Sequence, residues 1–388
     1  MNKKFLITFS FLLSIILGLW IWTLAIPHDI IDIGGSASVD PLMQKITIRY
    51  QKEKKKKFIY SSTGSNTGIT NLKKHVYEVA FISKDVPQED FDQEVKQITL
   101  DDFLDGAGNL SETAFIEKMQ SKGEGFFYLN FANDPLVFIY NIDRTGLTPE
   151  MFHNIQFNLT DDNKLVSNTL LKKIYEHNNP DDLISWYDLA KFFPMDDIDV
   201  GALEKVNKKL YVQPYSSTPG SGTWSSFEKL TNGVKPGGAT NIYGNNGSIF
   251  YQISKSPGAF GYVSMGYAQN IYKYKNLQSV FIHKGGSIWD VKNDGALNPE
   301  GKPYPLTRPF NALLHNNPQN KKMTDILKFV YWFATSPAVK DIYKEEGLSQ
   351  QIINEIKNLP QPNAEFYFIF HINEFYQLEN WQRGKQWQ

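Results

Sequence analysis

Apolar positions along the chain alternate between short strand-like runs and helical stripes. Ile30-Ile31-Asp32-Ile33 reads as a strand, and Val39, Leu42, Met43, Ile46 and Tyr50 then share one helical face. Phe58-Ile59-Tyr60 reads as a second strand, followed by a helical stripe at Ile69, Leu72 and Val76. Val79 to Ile82 is a short apolar run bounded by polar residues, as expected of a buried strand. Gln88 to Lys122 is polar and acidic with weak periodicity at Phe115, Ile116 and Met119, and reads as a surface elaboration. Pro135 to Tyr140 is a strand of good β-formers. Leu210 to Tyr215 is extended and leads to a stripe at Trp224, Phe227 and Leu230. Asp325 to Phe333 is a strongly apolar helix.

Three of these strand-to-helix transitions share one chemistry. Gly34-Gly35-Ser36-Ala37-Ser38, Ser61 to Gly68, and Tyr215 to Trp224 are loops of glycine and hydroxyl residues. The first N–H groups of a helix lack internal partners, and the macrodipole favours negative charge there. Glycines let the backbone approach a ligand closely. The same residues also cap ordinary helices, but the device appears three times. Repeated strand–loop–helix units predict an α/β fold whose loops meet at the carboxyl ends of strands, where ligands bind.

Composition narrows the function. With 40 basic and 41 acidic residues the formal charge is −1, so there is no global basic field for nucleic acid. The length of 388 residues suggests two domains. Seven histidines are scattered without His-Glu-x-x-His, and there is no cysteine, so no metal site is expected. Ser221 does not sit in a nucleophile elbow, and Thr223 is followed by Trp224 rather than preceded by a Walker lysine. No catalytic residue, cofactor or enzymatic activity is expected. Lys3 and Lys4 precede an uncharged run from Phe5 to Ile26, long enough to span a bilayer, with no small-x-small cleavage site before Pro27. The basic flank places the N-terminus in the cytoplasm and the bulk outside. Without cysteine the chain cannot carry a lipoprotein anchor, so this helix is expected to anchor it; a cleaved signal peptide is the alternative.

Five motifs in order carry a family resemblance: Gly35 to Leu42, Ser62 to Gly68, Gly220-Ser221-Gly222-Thr223, Pro257 to Ser264, and Tyr304 to Pro309. The chain resembles the phosphate-binding receptors of ABC importers, from about Ile30 to about Ser349. The resemblance implies a two-lobed periplasmic-binding-protein-like fold of type II with two crossing segments. It divides the chain into 1–27 (anchor or signal), 28–135 with 258–388 (first lobe), and 136–257 (second lobe), with a crossing at Pro135–Tyr140 and a return crossing at Ser256–Val263. It implies inorganic phosphate as ligand and ABC permease subunits as partners, on the extracytoplasmic side of the cell membrane.

Carried over residue by residue, the resemblance implies a backbone N–H from Ala37, a hydroxyl from Ser38 (or Ser36), the Ser65 hydroxyl, and Ser221, Gly222 and Thr223. Two departures stand out. Ser217 lies where many relatives carry an arginine. Ser83 lies where many carry an aspartate that accepts the phosphate proton and so rejects sulfate; Asp85 would take that role if the register slips. Two other readings stay open: a receptor for another tetrahedral oxyanion such as sulfate, and a surface adhesion or interaction protein that kept the fold.

Overall fold

The computed structural model describes residues 12–17, 30–193 and 200–357. The core elements, in chain order, are β1 (Ile30–Gly35), α1 (Asp40–Lys54), β2 (Lys57–Ser62), α2 (Ser65–Lys73), β3 (Val79–Ile82), β4 (Gly125–Asn141), β5 (Gln213–Ser217), α3 (Gly222–Leu230), β6 (Asn241–Tyr243), α4 (Asn246–Lys255), β7 (Ala259–Ser264), β8 (Thr307–Asn316) and α5 (Met323–Thr335).

One sheet runs through the molecule in the order β2-β1-β3-β8-β4-β7-β5-β6. At one end β1 lies parallel to β2 and β3. At the other, β5 lies parallel to β6 and β7. The long strands β4 and β8 run antiparallel in the middle and join the two halves. Two large apolar cores follow from this: one gathers Ile31 to Ala132 with Phe310 to Ile356, the other Leu136 to Leu306. A smaller third cluster, with Ile69, Leu72, Ile82 and Leu313, lies within the first lobe. This is a two-lobed α/β architecture.

The helices form where the stripes predict. α1 buries Leu42, Met43, Ile46 and Tyr50, starts with Pro41 in its first turn, and ends at a left-handed Lys55. α5 buries Ile326, Phe329, Val330 and Phe333, each contributing roughly 1.5–3 kcal/mol by leaving water. α2 stops at Lys73, short of Val76, which is exposed because the chain turns there into β3.

Three expectations need correction. Ser256–Val263 is not the return crossing. β7 pairs with β4 and β5 inside the second core, and Leu277, Ile282, Trp289 and Leu306 are buried there too. The chain returns at Thr307–Pro309, where β8 pairs with β4. Residues 258–306, expected in the first lobe, therefore pack with 136–257, because their apolar side chains complete that core. Finally, the acidic stretch is not all surface: Phe115 and Met119 are fully buried in the first core.

Among the described residues no helix is long and apolar enough to cross a membrane. Of the uncharged run Phe5–Ile26, only 12–17 are described, as helix. The rest of that run and the aromatic segment 366–387 lie outside the described residues.

Candidate functional site

Four helix N-termini meet where the lobes face each other. The first lobe supplies the turn before α1 and the start of α2; the second supplies the starts of α3 and α4. Ser38 Oγ lies 3.0 Å from Thr223 Oγ1 across the cleft. Asn246 Nδ2 donates to Ser38 Oγ at 3.0 Å. Ser36 Oγ donates to Ser83 Oγ at 2.8 Å, and the Ser83 N–H reaches Ser65 Oγ at 3.3 Å. Ser226 Oγ donates to the Ser83 carbonyl at 3.0 Å from the other lobe.

Backbone geometry explains the glycines. A Cβ on Gly222 would stand 2.1 Å from Ser83 Oγ and 2.7 Å from Ser65 Oγ, so only glycine lets α3 start against the first lobe. Ser221 is the N-cap of α3, its Oγ accepting from the Trp224 N–H at 3.2 Å. The N–H groups of Gly222 and Thr223 stand in the first turn, where no carbonyl of the helix can take them. Gly35, with φ of +133°, packs its Cα where a Cβ would meet the Phe81 carbonyl at 2.2 Å, and this turns the first loop inward.

Behind this ring of hydroxyls lies a buried charge. Arg308 on β8 stands opposite Asp134 on β4 in the ladder. Its Nε and Nη2 donate to Asp134 Oδ2 at 2.9 and 2.7 Å, and Nη2 also donates to Ser264 Oγ at 2.8 Å. Asn246 Nδ2 reaches the same Ser264 Oγ at 2.9 Å. Burial pushes the Asp134 carboxyl above its ordinary range, and the Arg308 guanidinium opposes that shift. Two buried polar atoms in this cluster have no partner among the described residues: Arg308 Nη1 and Asn246 Oδ1. Unpartnered atoms in a dry site are costly unless a ligand uses them. Tyr262 packs alongside, its phenol held neutral by burial and pushed up to about 12. Among the described residues no cluster of acidic and histidine side chains could hold a metal ion.

The arrangement suits a compact anion held by neutral donors with one fixed cation behind them. Comparison with known proteins agrees with the architecture. The family model of the PBP superfamily domain matches residues 25–337. The chain belongs to the PBP superfamily.

Within that superfamily it is similar to the phosphate-binding protein PstS of Borreliella burgdorferi, 23% identical over 323 residues, covering 82% of this chain and 89% of the relative. Among solved structures, a candidate phosphate ABC transporter substrate-binding protein with bound phosphate from Clostridium perfringens shares the fold. It is 18% identical, with a TM-score of 0.52, over 83% of this chain and 99% of that one. An ABC-type phosphate transport receptor from Vibrio cholerae aligns at 17% identity and TM-score 0.49, over 82% and 99%.

The expected site residues of this PBP superfamily member fall into three groups. Ser38, Ser65, Ser83, Gly222 and Thr223 come together at the cleft. Ala37 sits in the turn before α1, next to Ser38. Ser217 stands one step back: the Ser221 hydroxyl donates to its Oγ at 3.1 Å. Asp85 is not the slipped acceptor. Its side chain is 59% exposed and pairs with Lys229 at the rim of the cleft, so it faces water. Sequence reasoning missed Asn246, Ser264, Asp134 and Arg308. A signal for Asn246 was there: β6, Gly244-Asn245-Asn246-Gly247 and α4 form a fourth strand–loop–helix unit.

Proposed function

We propose that this chain is an extracytoplasmic receptor that binds inorganic phosphate between its lobes and hands it to an ABC permease. The supporting observation is the convergence of Ser38, Ser65 and Thr223 hydroxyls and the α3 N-terminus from both lobes onto one point, backed by Arg308. Similarity to PstS supports phosphate as the ligand. An entering anion exchanges the hydroxyl contacts across the cleft for charge-assisted bonds, each contributing roughly 1.5–3 kcal/mol. Because the donors belong to different lobes, binding and closure are one event. Arg308, paired with Asp134, is the guanidinium of this cluster, where Ser217 offers only a hydroxyl.

In this reading the uncharged run from Phe5 to Ile26 anchors the protein, which N-terminal sequencing of the mature chain checks: a start near Asp29 rejects it. Equilibrium binding of radiolabelled phosphate, with sulfate as competitor, tests the receptor reading. Saturable phosphate binding supports it. If the folded protein binds neither anion, the reading falls and a surface interaction protein takes its place.

A further inference from the structure

Asn246 carries one buried contradiction. Its side chain is almost entirely buried, its Nδ2 is used twice, and its Oδ1 has no partner among the described residues. An amide in such a position could turn over and offer its oxygen to the two serines instead. Here the two Nδ2 bonds hold the NH₂ toward the serines. A hydroxyl has one proton to give and two lone pairs to fill. Arg308 Nη2, which can only donate, fills one Ser264 lone pair at 2.8 Å, and the Asn246 NH₂ meets the same oxygen at 2.9 Å. Ser264 thus stands as an acceptor between Arg308 and Asn246, and the amide oxygen is the end left over. The leftover oxygen belongs to a residue that bonds Ser38, itself 3.0 Å from Thr223 Oγ1.

We propose that Asn246 Oδ1 accepts the proton of a protonated oxyanion, so that the cleft selects hydrogen phosphate over sulfate without using a carboxylate. This rests on the oxyanion-receptor reading above. At neutral pH phosphate keeps a proton on one oxygen and sulfate has none. The N–H groups and hydroxyls at the meeting point can donate to either anion, and such groups do not tell the two apart. A carbonyl oxygen whose own NH₂ is engaged by two serines does. Against phosphate it gains a hydrogen bond; against sulfate it faces an anionic oxygen with nothing between them. Ser264 acts as a positioning residue, and Asn246 as the residue that touches the ligand.

The test measures competition isotherms for phosphate and sulfate on the full-length protein in detergent. Wild type is expected to prefer phosphate by about tenfold or more, the scale of one hydrogen bond to a charged group. Asn246→Ala should bring the two affinities together, chiefly by weakening phosphate. Asn246→Asp, which keeps an acceptor in the same shape, should keep or raise the preference and so answers even if the alanine variant folds poorly. Ser65→Ala serves as the contrast, lowering both anions alike. The proposal is overturned by equal wild-type affinities, with the receptor reading left standing. It is also overturned by a preference that survives Asn246→Ala, or by one that Asn246→Asp reduces. Failure of wild type to bind either anion removes the receptor reading itself, and this inference with it.

Discussion

Two ion pairs lie near the junction of the two cores, and they have little else in common. Asp85 and Lys229 meet at the rim, with side chains 59% and 61% exposed. Asp134 and Arg308 meet on the central strands, with side chains 2% and 1% exposed. The rim pair keeps most of its hydration, so its attraction is screened and each side chain loses freedom in making it. The inner pair has given up hydration on both sides, and mutual attraction offsets that only partly. A contact that adds so little net stability is better understood by what it holds. Arg308 of the inner pair also holds Ser264, which in turn accepts from Asn246. The rim pair closes an edge.

The comparison can be broken most sharply at Arg308. Arg308→Met leaves the Asp134 carboxylate buried without a counter-charge, and should cost about 3–5 kcal/mol in denaturant unfolding. A loss below about 1 kcal/mol would put the inner pair in the same class as the rim pair. Next in size is the cleft itself. Ser65→Ala with Thr223→Val removes two donors to the ligand and should weaken phosphate binding by at least about tenfold, with little change in melting temperature. Unchanged affinity in the folded double variant would remove both residues from the site.

Replacing both inner partners sharpens the contrast further. Asp134→Leu with Arg308→Met should leave stability near wild type or above it at neutral pH, because both desolvation costs disappear together. The pH dependence follows from the raised Asp134 pKa. A carboxyl whose folded pKa is raised takes up its proton in the folded state first. Its penalty is therefore present at neutral pH and is relieved as pH falls through the raised value toward the ordinary carboxylate range. Wild type should gain stability relative to the double replacement on acidification; parallel pH profiles for the two proteins would count against it. Smallest of all, Lys229→Ala should change stability by about 0–1 kcal/mol, and that difference should vanish in high salt.

Much of the architecture was legible in the sequence because it rests on local periodicity. The stripes of α1 and α5 and the apolar run of β3 gave the first lobe, and the glycine–hydroxyl loops gave the cleft. What was not legible depends on contacts across the fold. Asn246 finds Ser38 at a separation of 208 positions, and Arg308 finds Asp134 at 174. Neither pair leaves a periodic trace. The second crossing was misplaced for a related reason. The resemblance placed the return crossing at Ser256–Val263, and nothing local says that the following segment returns to the same core. Arg308 stood within a motif already singled out, Tyr304 to Pro309, but its burial and its partner are properties of the ladder between β4 and β8.

That ladder also sets the mechanics of the molecule. The lobes are not beads on two slack strings. β4 and β8 are hydrogen-bonded from Thr307–Pro135 to Asn316–Gly125, with a bulge beside Phe310 that adds local twist. The ladder stops at the crossing, and β4 continues unbroken beyond it along β7, with the Leu136 N–H donating to the Leu306 carbonyl at 2.8 Å. Parting the cleft must therefore flex one continuous, bonded strand rather than swing a loose connector, because each bond given up inside the protein has a cost. Such a joint is a stiff flexure, its travel set by backbone bonding instead of tether length.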